Sequence, residues 1–128
     1  MQANDDSGPI CGEGGIRARE VLDLVSDKWS LYVVAALGQG PLRFSQARRV
    51  VAGISQRMLT VTFRRLVRDG LVARTVTPTV PPQVTYSLTE TGHSLRRAVQ
   101  PLIEWAFTTV DDIDAARAAY DARVDEQG

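Results

Sequence analysis

The chain has 128 residues, with 15 Lys and Arg against 15 Asp and Glu, one His and one Cys. That length carries one domain with its own core, and the lone Cys11 excludes an intrachain disulfide. Cys/His metal spacing and a Gly-rich phosphate loop ahead of a helix are absent from the sequence, so no enzyme, metal or cofactor is expected.

The N-terminus is acidic and lacks the apolar stretch of a secretory leader, and no apolar run approaches membrane-spanning length. The expected location is the cytoplasm, with no membrane partner. The zero net charge hides an uneven distribution. From Arg43 to Arg74 the basic residues are Arg43, Arg48, Arg49, Arg57, Arg64, Arg65, Arg68 and Arg74, and Asp69 is the only acid. From Glu104 onward, Glu104, Asp111, Asp112, Asp114, Asp121, Asp125 and Glu126 outweigh Arg117 and Arg123. A basic middle beside an acidic tail points to a polyanionic partner for the middle.

Residues 1–15, rich in Gly, Asp and Asn, read as a flexible arm. Arg17 to Val25 is amphipathic, with Val21, Leu22 and Val25 at helical spacing. Ser26-Asp27 restarts the chain into a helix from Lys28 to Leu37 whose apolar residues cover nearly the whole circumference, the mark of a buried core helix. Trp29 reads there as a core anchor. Gly38 to Pro41 breaks the chain, Leu42-Arg43 is a short strand, and a helix begins at Phe44 or Ser45 and runs to Val50. Phe44, Ala47 and either Val50 or Val51 point inward by spacing.

Ala52-Gly53-Ile54 is a turn, and Ser55 is a good N-cap for the next helix, which Gly70 ends in the left-handed C′ position. At about 100° per residue, Leu59, Phe63 and Leu66 form one face, and Arg57, Thr60, Val61, Arg64 and Arg68 the other. A solvated surface is the plainer account of an arginine stripe. Ordinary surface helices, however, mix signs to gain i,i+4 pairs, and Asp69 alone opposes Arg57, Arg64, Arg65 and Arg68 here. Two short helices joined by a tight Gly-containing turn, the second with a basic face, form a helix-turn-helix pattern whose second helix lies in the DNA major groove.

Leu71 to Val76 reads as a strand, Thr77 to Pro82 cannot be helical, and Gln83 to Leu88 alternates with Val84, Tyr86 and Leu88 on one face. This hairpin with a proline-rich tip is a wing, placed to touch phosphate or the minor groove. Thr89 to Thr109 is helical by pattern, and Pro101 inside it should kink or restart the helix. Its stripe of Leu95, Val99, Leu102, Ile103, Ala106 and Val110, with Trp105, packs on a second subunit in preference to its own core. Residues 111–128 read as an acidic, alanine-rich tail or one more helix that frays. His93 reads as a surface or capping residue. The fold class is α+β, mainly α: a winged helix-turn-helix over 16–110, with extra N- and C-terminal helices forming a dimer interface and dimerisation centred on about 89–110.

The chain resembles the HxlR family of bacterial winged-helix regulators, within the wider MarR/ArsR-like group. The resemblance rests on LDLVSDKW (Leu22–Trp29), GPLRFSQ (Gly40–Gln46), GISQRMLT (Gly53–Thr60), DGLVART (Asp69–Thr75), PTVPPQVTYSLTETG (Pro78–Gly92) and Glu104-Trp105. It implies a homodimer with recognition helices in successive major grooves of a palindromic operator, about 34–36 Å apart. Ser55, Gln56, Arg57, Thr60, Val61 and Arg64 become the groove-facing candidates. Arg43, Arg48 and Arg68 become phosphate contacts with Ser45 beside them, and Thr77, Thr79 and Gln83 the wing contacts. The first and last helices supply the interface through Val21, Leu22 and Val25, and through Leu95, Val99, Leu102, Ile103, Trp105 and Ala106.

Two departures stand out. Family members often carry a sensing cysteine twelve residues before the Lys-Trp pair, where this chain has Ile16; Cys11 lies five residues further out, so a redox-sensor role does not transfer directly. Gln83 and Thr85 also replace a charged pair common in family wings. The expected function is a sequence-specific regulator of transcription on double-stranded DNA, a repressor where the operator overlaps a promoter. The alternative is a sensor whose small-molecule effector, held near Trp29, Tyr32, Trp105 and Phe107, or whose redox state gates DNA binding. A winged helix used only for protein contact would need no arginine stripe.

Overall fold

The computed structural model describes residues 13–127, without the side chains of Glu13 and Leu24. The elements run α1 (Glu13–Val25), α2 (Lys28–Leu37), β1 (Leu42–Arg43), α3 (Phe44–Val50), α4 (Gln56–Arg68), β2 (Val72–Thr77), β3 (Gln83–Leu88) and α5 (Glu90–Gln127). The strands form an antiparallel sheet in the order β1-β3-β2. This is the expected winged helix-turn-helix. The chain divides into two compact units, Met1–Arg96 and Arg97–Gly128. The arm before Glu13 and Cys11 lie outside the described residues.

The core of the first unit is built from α2, α3, α4 and the sheet. Val33, Val34, Leu37, Ala47, Leu59, Phe63, Leu66 and Val72 are all buried in it, with Val51, Ile54, Leu71 and Leu88 at its margin. Trp29 packs on this core as an anchor, and its ring meets Tyr32 edge-on at 5.7 Å. The Asp27 carboxylate accepts from the Ser30 backbone N–H at 3.2 Å and so caps α2.

Three local expectations are corrected, and the open choice between Val50 and Val51 is settled. α1 already includes residues 13–15, inside the expected arm. α2 is not buried all round: Tyr32 is half exposed, because the core covers only the face carrying Ser30, Val33, Val34 and Leu37. At the end of α3, Val51 turns inward and Val50 faces solvent. α5 does not restart at Pro101, and 111–127 is not a separate piece: one helix runs from Glu90 to Gln127. The missing N–H at Pro101 costs one bond, and the Ala-rich sequence beyond it is among the best of helix formers.

Two joints hold the wing to the recognition helix. Past Asp69, the Gly70 backbone N–H donates to the Val67 carbonyl at 3.1 Å and the Leu71 N–H to the Leu66 carbonyl at 2.9 Å. Gly70 has φ +76°, so this is a Schellman cap of the kind glycine makes at least cost. Thr89 then ties the start of α5 to the same corner. Its hydroxyl donates to the Gly70 carbonyl at 2.6 Å and accepts from the Gly92 N–H at 3.1 Å, while its own N–H donates to the Leu71 carbonyl at 3.1 Å. His93 is exposed, and its N–H closes the first turn on the Thr89 carbonyl at 2.8 Å.

Gly92 is buried at this joint, and a Cβ there would overlap the Leu71 carbonyl oxygen. Gly92→Ala is therefore expected to destabilise the chain by about 1–3 kcal/mol through overpacking against backbone that cannot yield cheaply. Urea unfolding followed by circular dichroism reads this directly. A midpoint unchanged from the parent would show that the α4–α5 corner is not tightly built.

Candidate nucleic-acid interface

The turn between α3 and α4 is tightened by backbone hydrogen bonds to near partners. The Val51 N–H donates to the Ala47 carbonyl at 2.9 Å and the Ile54 N–H to the Val51 carbonyl at 3.3 Å, with Gly53 at φ +86° between them. Ser55 then caps α4, its hydroxyl accepting from the Met58 N–H at 3.0 Å. Ile54 before the cap and Leu59 in the first turn both enter the core cluster, the arrangement of a hydrophobic staple that sets the angle of entry.

Leu59, Thr62, Phe63 and Leu66 form the buried face of α4. Gln56, Arg57, Val61, Arg64 and Arg68 are exposed on the outer face, and Thr60 is half-buried. These are the side chains expected to face a groove, but they are not equally free. The Thr60 hydroxyl donates to the Gln56 carbonyl at 2.9 Å, so its proton is already committed. The Ser55 hydroxyl serves the cap.

Arg65 leaves the stripe. It pairs with Asp27 at the head of α2, 3.5 Å away, with about a third of each side chain exposed. A pair this exposed contributes about 0–1 kcal/mol, enough to orient a side chain but not to hold a fold. It is the only ion pair among the described residues. The remaining arginines of the stripe carry uncompensated charge.

Around α4, Arg43, Ser45 and Arg48 are exposed on β1 and α3. The Arg43 backbone N–H donates to Gln46 Oε1 at 2.9 Å, and its Nη2 donates to Gln83 Oε1 at 2.8 Å. Arg43 and Gln83 are thus brought together, joining the entry of α3 to the base of the wing. In the wing, Thr77 pairs with Gln83 and Val76 with Val84. Thr77, Thr79 and Gln83 are exposed, and the Thr79 hydroxyl donates to the Pro81 carbonyl at 2.7 Å, closing the tip. Val80, not singled out from sequence, is fully exposed at that tip.

Arg74 lies outside the candidates singled out from sequence. It lies opposite Tyr86 across the β2–β3 ladder and lines a cleft with Arg64 and Arg68. Its place among the basic residues between Arg43 and Arg74 was the available signal, and strand pairing is what aims it at α4.

The residues expected at a dimer interface divide. Val25 and Leu95 pack on the core of the first unit. Val21, Leu22, Leu102 and Trp105 are about half exposed, Ala106 is exposed, and Val99 and Ile103 are half-buried. Apolar exposure continues beyond them through Phe107, Val110, Ile113, Tyr120 and Val124. Leu102, Ala106, Thr109, Ile113, Ala116 and Tyr120 recur at alternating spacings of four and three, the pattern of a helix that packs along another helix. Among the described residues no group of His, Cys, Asp and Glu is placed to hold a metal, and no helix is long and apolar enough to cross a membrane.

The sequence pattern of the HxlR-like helix-turn-helix family matches residues 24–114. The HTH-type transcriptional regulator YtfH of Escherichia coli (strain K12) is 37% identical over 100 residues, covering 78% of this chain and 79% of YtfH. Among solved structures, a transcriptional regulator ytfH from Salmonella typhimurium superposes with a TM-score of 0.73 at 37% identity, covering 79% of this chain and 90% of that one. The redox regulator HypR in its reduced form superposes with a TM-score of 0.71 at 37% identity, covering 77% of this chain and 98% of that one.

Proposed function

The chain belongs to the HxlR-like helix-turn-helix family of transcriptional regulators, and from that premise we propose that it is a sequence-specific repressor that binds a palindromic double-stranded DNA operator as a cytoplasmic homodimer. The observation that carries this reading is the outer face of α4, where Arg57, Arg64 and Arg68 stand exposed without an acidic partner among the described residues. Arg57 and Gln56, in the first turn, read base edges, as residues at the start of a recognition helix do. Arg43, Arg48 and Arg68 hold phosphates and release counterions. The wing tip follows the flanking backbone.

The test is a gel shift on DNA upstream of the chain's own gene, with a scrambled duplex beside it, at about 50 and 200 mM salt. The upstream duplex is expected to bind more tightly than the scrambled one. Affinity is expected to fall by roughly a thousandfold or more across that salt range if six or more phosphates are contacted. Equal affinity for both duplexes overturns the reading.

Dimerisation is supported by the half-exposed apolar residues of α1 and α5. Trp105→Glu places a charge on an already exposed position, so it leaves the protomer fold intact. Sedimentation is expected to give a dimer for the parent chain and a monomer for the variant. A dimer in both would move the interface elsewhere.

A redox-gated form of the same function draws on the likeness to HypR, with Cys11 as the thiol. Diamide is then expected to release the operator and a thiol reductant to restore binding; binding indifferent to diamide removes Cys11 from the mechanism.

A further inference from the structure

We propose that Gln83 is a positioning residue for phosphate binding. It holds the Arg43 guanidinium in place at the base of the wing without cancelling its charge, so that Arg43 meets the DNA backbone already ordered. This role rests on the reading of Arg43 as a phosphate contact.

Strand register brings the two side chains together. Arg43 on β1 lies opposite Thr85 on β3, and Leu42 lies opposite Tyr86. Leu42 and Tyr86 pack against the core, so Arg43 and Thr85 belong to the other face of the sheet. Gln83 lies two residues before Thr85 on that same face, diagonal to Arg43 and within reach of a long side chain. The Arg43 Nη2 donates to Gln83 Oε1 at 2.8 Å. Arginine has no acceptor, so the amide can only offer it oxygen. Ala73, Thr75, Thr77 and Ser87 complete the face, and Arg43 is its one charged residue.

The backbone under Arg43 is fixed as well, because its N–H donates to Gln46 Oε1 at 2.9 Å. Arg43 is thus tied at both ends, each time by a neutral amide. A carboxylate in the place of Gln83 would hold the guanidinium too, but it would cancel the charge that a phosphate needs. No carboxylate pairs with Arg43 among the described residues. The neutral acceptor leaves both the charge and the remaining guanidinium N–H groups for the phosphate. An exposed arginine that moves freely loses that freedom when it binds, whereas one already held loses less, and affinity rises by the difference. Arg48, exposed on α3 with no ion-pair partner among the described residues, serves as the reference.

The first measurement needs no DNA. Nitrogen-15 relaxation of the Arg43 Nε in the full chain is expected to report an ordered side chain in the parent, and a mobile one like Arg48 in Gln83→Ala. Equal order in both overturns the positioning role. The second is a double-mutant cycle on the scrambled duplex, where phosphate contacts alone count. Gln83→Ala is expected to weaken binding about three- to tenfold, the cost of ordering one long side chain, and to leave the salt slope unchanged. In an Arg43→Gln background the same change is expected to have no effect, because Gln83 acts through Arg43. An equal loss in both backgrounds makes Gln83 a DNA contact in its own right and overturns the role. Gln83→Glu is expected to keep Arg43 ordered while lowering both affinity and salt slope. Affinity and slope equal to the parent's would show that the Arg43 charge is not used, and overturn it likewise. Arg43 and Gln83 are both exposed, so the variants keep the parent's circular dichroism. If the cycle behaves as expected but upstream and scrambled duplexes bind alike, the sequence-specific reading falls and the positioning role stands. An ordered Arg43 on a chain that binds no duplex overturns both.

Discussion

Phe63→Ala is expected to cost about 3–5 kcal/mol of folding stability, the range for removing a fully buried aromatic ring. Phe63 is 2% exposed, stacks face to face on Tyr86 of β3 and touches Phe44 at the start of α3. It is the side chain through which the recognition helix, the preceding helix and the wing share one core. A domain of this size holds about 5–15 kcal/mol in total, so the variant should sit close to unfolding at 37 °C. Urea denaturation at low temperature, where the variant still folds, measures the loss. A loss under about 1 kcal/mol would mean that the three elements are held together elsewhere.

The second large effect separates reading from holding. Arg57→Ala is expected to cost about 1–3 kcal/mol on the operator and much less on scrambled DNA, because a bidentate contact to a base edge is lost only where that base is present. Arg48→Ala is expected to weaken binding on both duplexes about equally and to lower the salt slope by about one. The structure gives the reason to separate them. Arg57 is exposed in the first turn of α4, just past the Ser55 cap, whereas Arg48 is exposed in the last turn of α3. Titrations of both variants on both duplexes settle the assignment. Equal losses everywhere would make Arg57 another phosphate contact.

Arg65 is adjacent to Arg64 in sequence but is held by Asp27. In the sequence the two arginines look alike, opposed only by Asp69. The ion pair removes Arg65 from that set and links the head of the core helix to the recognition helix. Nothing near Arg65 in sequence announces this, since its partner lies in the cap of another helix.

What the amino-acid order determined by itself was whatever depends on neighbouring residues. Ser55 and Gly70 bound the recognition helix, Leu59, Phe63 and Leu66 share its inner face, and the alternation from Gln83 to Leu88 makes a strand; all three stand in the structure. Caps, helical periods and turn glycines act over a few residues, so a linear reading captures them. The family likewise follows from short motifs in a fixed order. Tertiary packing alone decided the rest. It placed Arg74 opposite Tyr86, turned Arg65 to Asp27, and packed Val25 and Leu95 against the core of the first unit while leaving Leu102 and Trp105 open. It also joined Arg43 to Gln83, forty positions apart. Each of these depends on which distant segment comes to lie alongside. That is set by the burial of Phe63, Leu66 and their partners as one core, a property of the whole folded unit and not of any stretch within it.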